Sequence, residues 1–176
     1  MLISIAAGLV VLITMLGELV VSRRHERVLL TRGAVAPPDP VYPVMRLAYP
    51  LVFVAMAVEG ALAGPASPVL IATGAAVFVL GKSLKFWAIH ALGDYWTYRV
   101  LVIPGAPLVT HGPYRLFRHP NYIGVIGELI GMALAVDARV TGLIGTVFFS
   151  FLLWRRIRAE EAALRASAKF QVPSSK

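Results

Sequence analysis

The chain has 176 residues, 58% of them hydrophobic and only 15% charged, with a formal net charge of +8 and no cysteine. An ordinary soluble domain carries about 25% charged residues, so composition excludes that class. Lack of cysteine excludes disulfides, thiolate zinc sites, cysteine-ligated iron–sulfur clusters and a cysteine nucleophile. The basic residues border apolar segments, where topology and anionic headgroups account for them without a nucleic-acid partner.

A run of about 18 apolar residues reads as a spanning helix, because in lipid the backbone must satisfy its own hydrogen bonds. The expected fold is therefore an all-α integral membrane protein with about five transmembrane helices in a single membrane domain, 1–176. The first segment, 2–21, holds one charge, Glu18. No basic stretch precedes it, and Arg23, Arg24 and Arg27 follow it in place of a cleavage site, so it reads as a retained helix rather than a signal peptide. Residues 22–42 read as a basic, then proline-rich loop ending in Pro37-Pro38-Asp39-Pro40. Segment two, 44–63, and segment three, 69–92, flank the short turn Gly64-Pro65-Ala66-Ser67-Pro68. A polar stretch, 93–121, leads into segments four (122–136) and five (140–154), a hairpin about Asp137-Ala138-Arg139. A C-terminal helix is expected over 155–168.

Fifteen residues at ~1.5 Å each reach only ~22 Å, short of a ~30 Å hydrocarbon core. Either neighbouring residues lengthen the last two helices, or the polar mouth of the hairpin is sunk into the membrane. Placing loop 22–46, residues 82–120 and the C-terminal tail on one side collects sixteen of the seventeen Lys and Arg there, leaving Arg139 opposite. That bias predicts an outside N-terminus and a cytoplasmic C-terminus, as in a bacterial inner-membrane protein. Lys82 and Lys85 are expected to snorkel to the cytoplasmic surface, and Trp87, Trp96 and Trp154 to lie near that interface.

Two polar motifs flank the hairpin. Gly112-Pro113-Tyr114-Arg115-Leu116-Phe117-Arg118-His119-Pro120-Asn121-Tyr122 precedes it, and Arg156-Ile157-Arg158-Ala159-Glu160-Glu161-Ala162-Ala163-Leu164 follows it. An antiparallel hairpin brings its ends together, and Arg156 and Glu160, four apart, share a helix face. A site of His119, an arginine and a carboxylate near the membrane surface is the expected result. On residue types alone, His119 could be only a helix-start residue, Arg155 and Arg158 a basic anchor, and Glu160-Glu161 a solvated face. The histidines at 25, 90, 111 and 119 lack ligand spacing, so no metal site is expected. Gly124, Gly127 and Gly131 read as close-packing positions.

Glu128, inside segment four, is costly in lipid unless paired, protonated or facing water. It reads either as a catalytic general base or cofactor partner, or as a structural pair with Lys82 or Lys85. Glu18 and Glu59 read as segment-end residues or interhelical partners.

The motifs Gly112-Pro113-Tyr114, Arg118-His119-Pro120-Asn121-Tyr122 and Arg156 … Glu160-Glu161 … Leu164 resemble the isoprenylcysteine carboxyl methyltransferase family, as do Leu92-Gly93-Asp94-Tyr95-Trp96 and Pro107-Leu108-Val109-Thr110. The resemblance covers about residues 80–165. It implies a membrane enzyme using S-adenosylmethionine, with Leu108, Val109, Tyr114, His119, Pro120, Asn121, Tyr122 and Glu160 in the cofactor site and Arg156 facing the substrate. The tail Ala168-Lys169-Phe170-Gln171-Val172-Pro173 departs from the Gly- and Tyr-rich tail of members acting on prenylated proteins. Together with Glu128, the motifs look similar to a bacterial branch found with type III polyketide synthases, which methylates the hydroxyl of long-chain alkylpyrones. The implied acceptor is lipophilic, a prenylcysteine-type carboxylate or an alkylpyrone-type hydroxyl. A membrane reductase using NADPH and a non-enzymatic membrane scaffold are the competing classes.

Overall fold

The structure is a computed structural model that describes residues 1–169, and it is helical throughout apart from loops and one isolated bridge. The helices are α1 (Leu2–Thr31), α2 (Tyr42–Ala63), α3 (Pro68–Leu92), α4 (Pro120–Ala135) and α5 (Arg139–Lys169), with short 3-10 turns at Gly93–Tyr95 and Gly112–Arg115. Four of them (α1, α2, α3 with its following turn, and α5) are long and apolar enough to cross a membrane, while α4 is shorter. The chain is thus an all-α integral membrane protein.

Two helices outrun their expected spans. α1 has 30 residues and continues through Arg23, Arg24 and Arg27, so the first half of the expected loop 22–42 is helix. Nothing in that stretch breaks a helix; Gly33 and the prolines come later. α5 has 31 residues and is continuous through Trp154 into the basic tail. At ~1.5 Å per residue it is ~46 Å long, some 15 Å beyond the hydrocarbon core. α4, with 16 residues, reaches only ~24 Å. Lengthening is thus realised in α5, and the short member of the hairpin is α4. The tail segment Phe170-Gln171-Val172-Pro173 lies outside the described residues.

Helix ends follow local chemistry. Ser67 caps α3 by accepting a hydrogen bond from Leu70 N at 3.3 Å, with Pro68 at the first helical position. Pro120 plays the same role in α4. Asp137, at φ 53°, turns the hairpin and is fastened by Arg139 at 2.9 and 3.0 Å, which holds its carboxyl below the usual aspartate range. Glu59 of α2 closes the start of α5, accepting from Val140 N at 2.9 Å and from the Thr141 backbone N–H at 2.7 Å. A helix start leaves N–H groups without intrahelical partners, and Glu59 takes two of them.

α3 and α4 make the closest pairing, and glycine is the reason. A Cβ on Gly81 would sit 2.8 Å from Gly124 O, and one on Gly124 would sit 2.7 Å from Gly81 O. The backbones touch, as the small residues of segment four predict. Phe53, Met56, Leu129, Met132, Phe149 and Leu153 fill the core between α2, α4 and α5. Large apolar side chains on α1, such as Leu9, Ile13, Leu16 and Val20, stay exposed, as lipid-facing residues do.

Candidate active site

The two polar motifs meet. His119 takes the position just before α4, and its carbonyl accepts from Tyr122 N at 3.1 Å and Ile123 N at 3.3 Å. Its imidazole is left free to reach across the hairpin, where Nε2 lies 3.3 Å from Glu161 Oε1. One turn along α4, the Tyr122 hydroxyl donates to Glu160 Oε2 at 2.6 Å. The His119 and Tyr122 rings stack at 5.7 Å with 23° between planes. Tyr114, from the 112–115 turn, lies in reach of Glu160: burial pushes its phenol above the ordinary tyrosine range, and the Glu160 charge adds to the shift. His119 and Glu161 are part-exposed, with side chains 20% and 33% accessible, so the group opens outward.

Arg156 lies behind this mouth and is buried. It donates to Asp39 Oδ2 at 2.5 Å and to the Tyr98 carbonyl, and its guanidinium lies over the Tyr42 ring at 5.5 Å. Asp39 also accepts from Tyr42 N at 3.1 Å through Oδ1, fixing the start of α2. Val35 and Val102 exchange two backbone hydrogen bonds, 2.9 and 3.0 Å, which tie the proline-rich loop to the 97–102 stretch. Arg156 and Glu160 do share a face of α5, but Arg156 is engaged by residues from two loops.

Beneath lies a second cluster. Glu18 of α1 and Glu128 of α4 face Lys82 and Lys85 of α3. Lys82 Nζ is 3.0 Å from both Glu18 Oε1 and Glu128 Oε2; Lys85 Nζ is 2.6 Å from Glu18 Oε2 and 3.4 Å from Glu128 Oε1. The Tyr49 hydroxyl donates to Glu128 Oε2 at 2.7 Å and that of Tyr98 to Glu18 Oε2 at 2.9 Å. Lys85 Nζ and Glu128 Oε1 make no well-aligned hydrogen bond, so ion pairing compensates their burial. Tyr98 connects the two levels: its phenol, raised above the ordinary range by burial and by the Glu18 charge, holds Glu18, while its carbonyl holds Arg156.

This cluster corrects one expectation. Lys82 and Lys85 do not snorkel to a surface; they are 7% and 1% exposed. Two carboxylates within ion-pair reach offset the cost of keeping them inside. Glu128 pairs with both lysines. Glu128 lies eight residues into α4 from Pro120, ~12 Å below the mouth. Trp96, expected at the interface, is buried at 4%, and its Nε1 donates to Asn121 Oδ1 at 3.3 Å.

The structure therefore gathers Tyr114, His119, Tyr122 and Glu160, with Glu161 beside them and Arg156 and Asn121 just behind. Leu108 is exposed, and no hydrogen bond joins Leu108 or Val109 to this group among the described residues. Asp39, Tyr49 and Tyr98 carry much of the polar network yet stood out little in the sequence. Asp39 sits among prolines, where a loop is reason enough for it. Tyr49 and Tyr98 carry no charge to mark them in an apolar or polar stretch.

Fold and site together define an integral membrane protein with a part-exposed polar mouth at one end of a helical hairpin and a buried ion cluster beneath it. A model of the isoprenylcysteine carboxyl methyltransferase family matches residues 73–166, which span both motifs. The chain belongs to that family, and its class is that of a membrane methyltransferase. It is 34% identical to the uncharacterized protein YpbQ of Bacillus subtilis over 84% of this chain and 88% of that one. It is 27% identical to an uncharacterized protein of Haemophilus influenzae, over 84% of this chain and 86% of that one. A probable protein-S-isoprenylcysteine O-methyltransferase of Oryza sativa is 32% identical over 52% of this chain and 49% of its own. No solved structure matches the chain.

Proposed function

We propose that the protein is an S-adenosylmethionine-dependent O-methyltransferase whose acceptor is lipophilic and enters from the bilayer. The observation that carries this reading is the pairing of Tyr122 with Glu160 and of His119 with Glu161 across the α4–α5 hairpin, in a chain of this family. The donor set suits the cofactor. Glu160 and Glu161 offer carboxylates for ribose hydroxyls, an ammonium or a sulfonium, and the stacked His119 and Tyr122 rings offer a face for a cation or a base. Tyr114, His119, Asn121, Tyr122 and Glu160 would hold it, with Leu108 and Val109 as apolar wall and Pro120 setting the start of α4.

When bound, S-adenosylmethionine supplies an electrophilic methyl group on a cationic sulfur. What the chain then supplies is placement and exclusion of water, the main demands of an in-line displacement. Glu160, held at one oxygen by Tyr122, keeps a fixed negative charge beside the cation. Arg156 faces the acceptor from behind. A carboxylate acceptor is already ionised, whereas a hydroxyl must lose its proton, and His119 and Glu161, part-exposed at the mouth, are placed to accept it. Glu128, engaged by two lysines and Tyr49, serves the fold in this reading. The short helix α4, beside the longer α5, leaves the mouth below the level reached by α5, within reach of an acceptor in lipid. The basic residues on the mouth side, against Arg139 at the far end, orient the mouth to the cytoplasm and suit a bacterial inner membrane.

The test is methyl transfer from labelled donor in detergent–lipid micelles, with prenylcysteine and alkylpyrone acceptors in parallel. Arg156→Lys keeps the charge but loses the planar fork, and activity should fall at least tenfold. A scaffold would tolerate the swap and transfer nothing.

A further inference from the structure

We propose that Asp39 is a specificity-determining partner of Arg156: it occupies the guanidinium that an acceptor would otherwise meet, so that an anionic acceptor engages Arg156 only by displacing Asp39. The proposal rests on the reading of Arg156 as the acceptor-facing residue.

The geometry is direct. Arg156 NH1 and Asp39 Oδ2 are 2.5 Å apart, and the two side chains are only 5% and 10% exposed. The other terminal nitrogen is taken by the Tyr98 carbonyl. Glu160, one turn along α5, adds a second carboxylate within electrostatic reach of the same guanidinium. A carboxylate brought there by an acceptor must compete with Asp39 for the one guanidinium, in surroundings where charges interact several times more strongly than in bulk water. An uncharged acceptor meets no such penalty. Asp39 is also not free to swing away, because Oδ1 is committed to Tyr42 N and the loop that carries it is pinned by the Val35–Val102 pairing.

Asp39→Asn separates the two roles of this residue. The amide oxygen can still accept from Tyr42 N, so the start of α2 is kept, while the amide nitrogen facing Arg156 is a donor facing a donor. The guanidinium is then available. The probes are N-acetyl-S-farnesylcysteine, a lipophilic carboxylate, and its uncharged primary amide. Binding is followed by tryptophan fluorescence on the full chain in detergent–lipid micelles with no methyl donor present. In the unsubstituted protein the carboxylate should bind no tighter than the amide. Asp39→Asn should raise the carboxylate-to-amide affinity ratio at least tenfold, and adding Arg156→Gln should abolish that gain. An unsubstituted protein that already prefers the carboxylate tenfold would overturn the proposal without recourse to any variant. So would a ratio unchanged by Asp39→Asn, or binding of neither probe. Since no donor is present, these outcomes are independent of S-adenosylmethionine binding, which is measured separately and tests the methyltransferase reading itself.

Discussion

Glu128→Gln is a near-isosteric change that removes one negative charge from the buried cluster. It leaves Lys82 and Lys85, 7% and 1% exposed, to share Glu18 alone. The Tyr49 hydroxyl keeps an acceptor in the amide oxygen, so the loss is one of charge balance. Breaking a buried ion pair by removing one partner costs about 3–5 kcal/mol. For a chain of this size each kcal/mol moves Tm by about 2–4 °C, so a fall of about 6–20 °C is expected. Thermal unfolding in detergent followed by tryptophan fluorescence reads it. Adding Lys85→Met restores one lysine against one carboxylate and should recover at least half of the loss, since apolar replacement of buried charges is often neutral or stabilising. A Glu128→Gln variant within 2 °C of the parent, or a double variant no more stable than Glu128→Gln, would show that ion pairing does not offset the burial of these four charges.

Gly124→Val places a branched side chain where a Cβ alone would lie 2.7 Å from Gly81 O and 2.9 Å from Lys85 Cβ, and should cost at least about 1–3 kcal/mol by forcing α3 from α4; the same thermal assay reads it. Glu59→Ala uncaps α5 at Val140 and Thr141 and should cost about 0.5–2 kcal/mol, with faster amide exchange confined to residues near 139–142. Tyr98 and Tyr114 have phenols raised above the usual value of about 10. Their contribution to stability is therefore complete below pH ~10 and declines as pH rises above it. A Tm profile from pH 8 to ~11 should fall at its alkaline end, and less steeply in Tyr98→Phe.

The spanning helices were legible because lipid forces each to be a long apolar run, and the meeting of the two motifs followed from hairpin geometry alone. Helix ends were less legible. Charge ended the expected first span at residue 21, yet arginines are good helix formers, and α1 runs on to Thr31. Lys82 and Lys85 misled for a related reason. Lysine near a segment end has two outlets, the interface or a buried carboxylate, and only the fold shows that Glu18 and Glu128 lie opposite. The role of Asp39 was illegible, since its partner is 117 residues away in sequence.

The proposed function requires the mouth of the α4–α5 hairpin to bind a methyl donor. Calorimetry of the detergent-purified, lipid-supplemented protein with S-adenosylmethionine and S-adenosylhomocysteine, with NADPH as control, tests it most directly. Micromolar binding of both, reduced at least tenfold in Glu160→Ala and in His119→Ala and absent for NADPH, is the predicted result. A folded sample that binds neither, or that binds NADPH in their place, would rule out a methyl-donor site at this mouth.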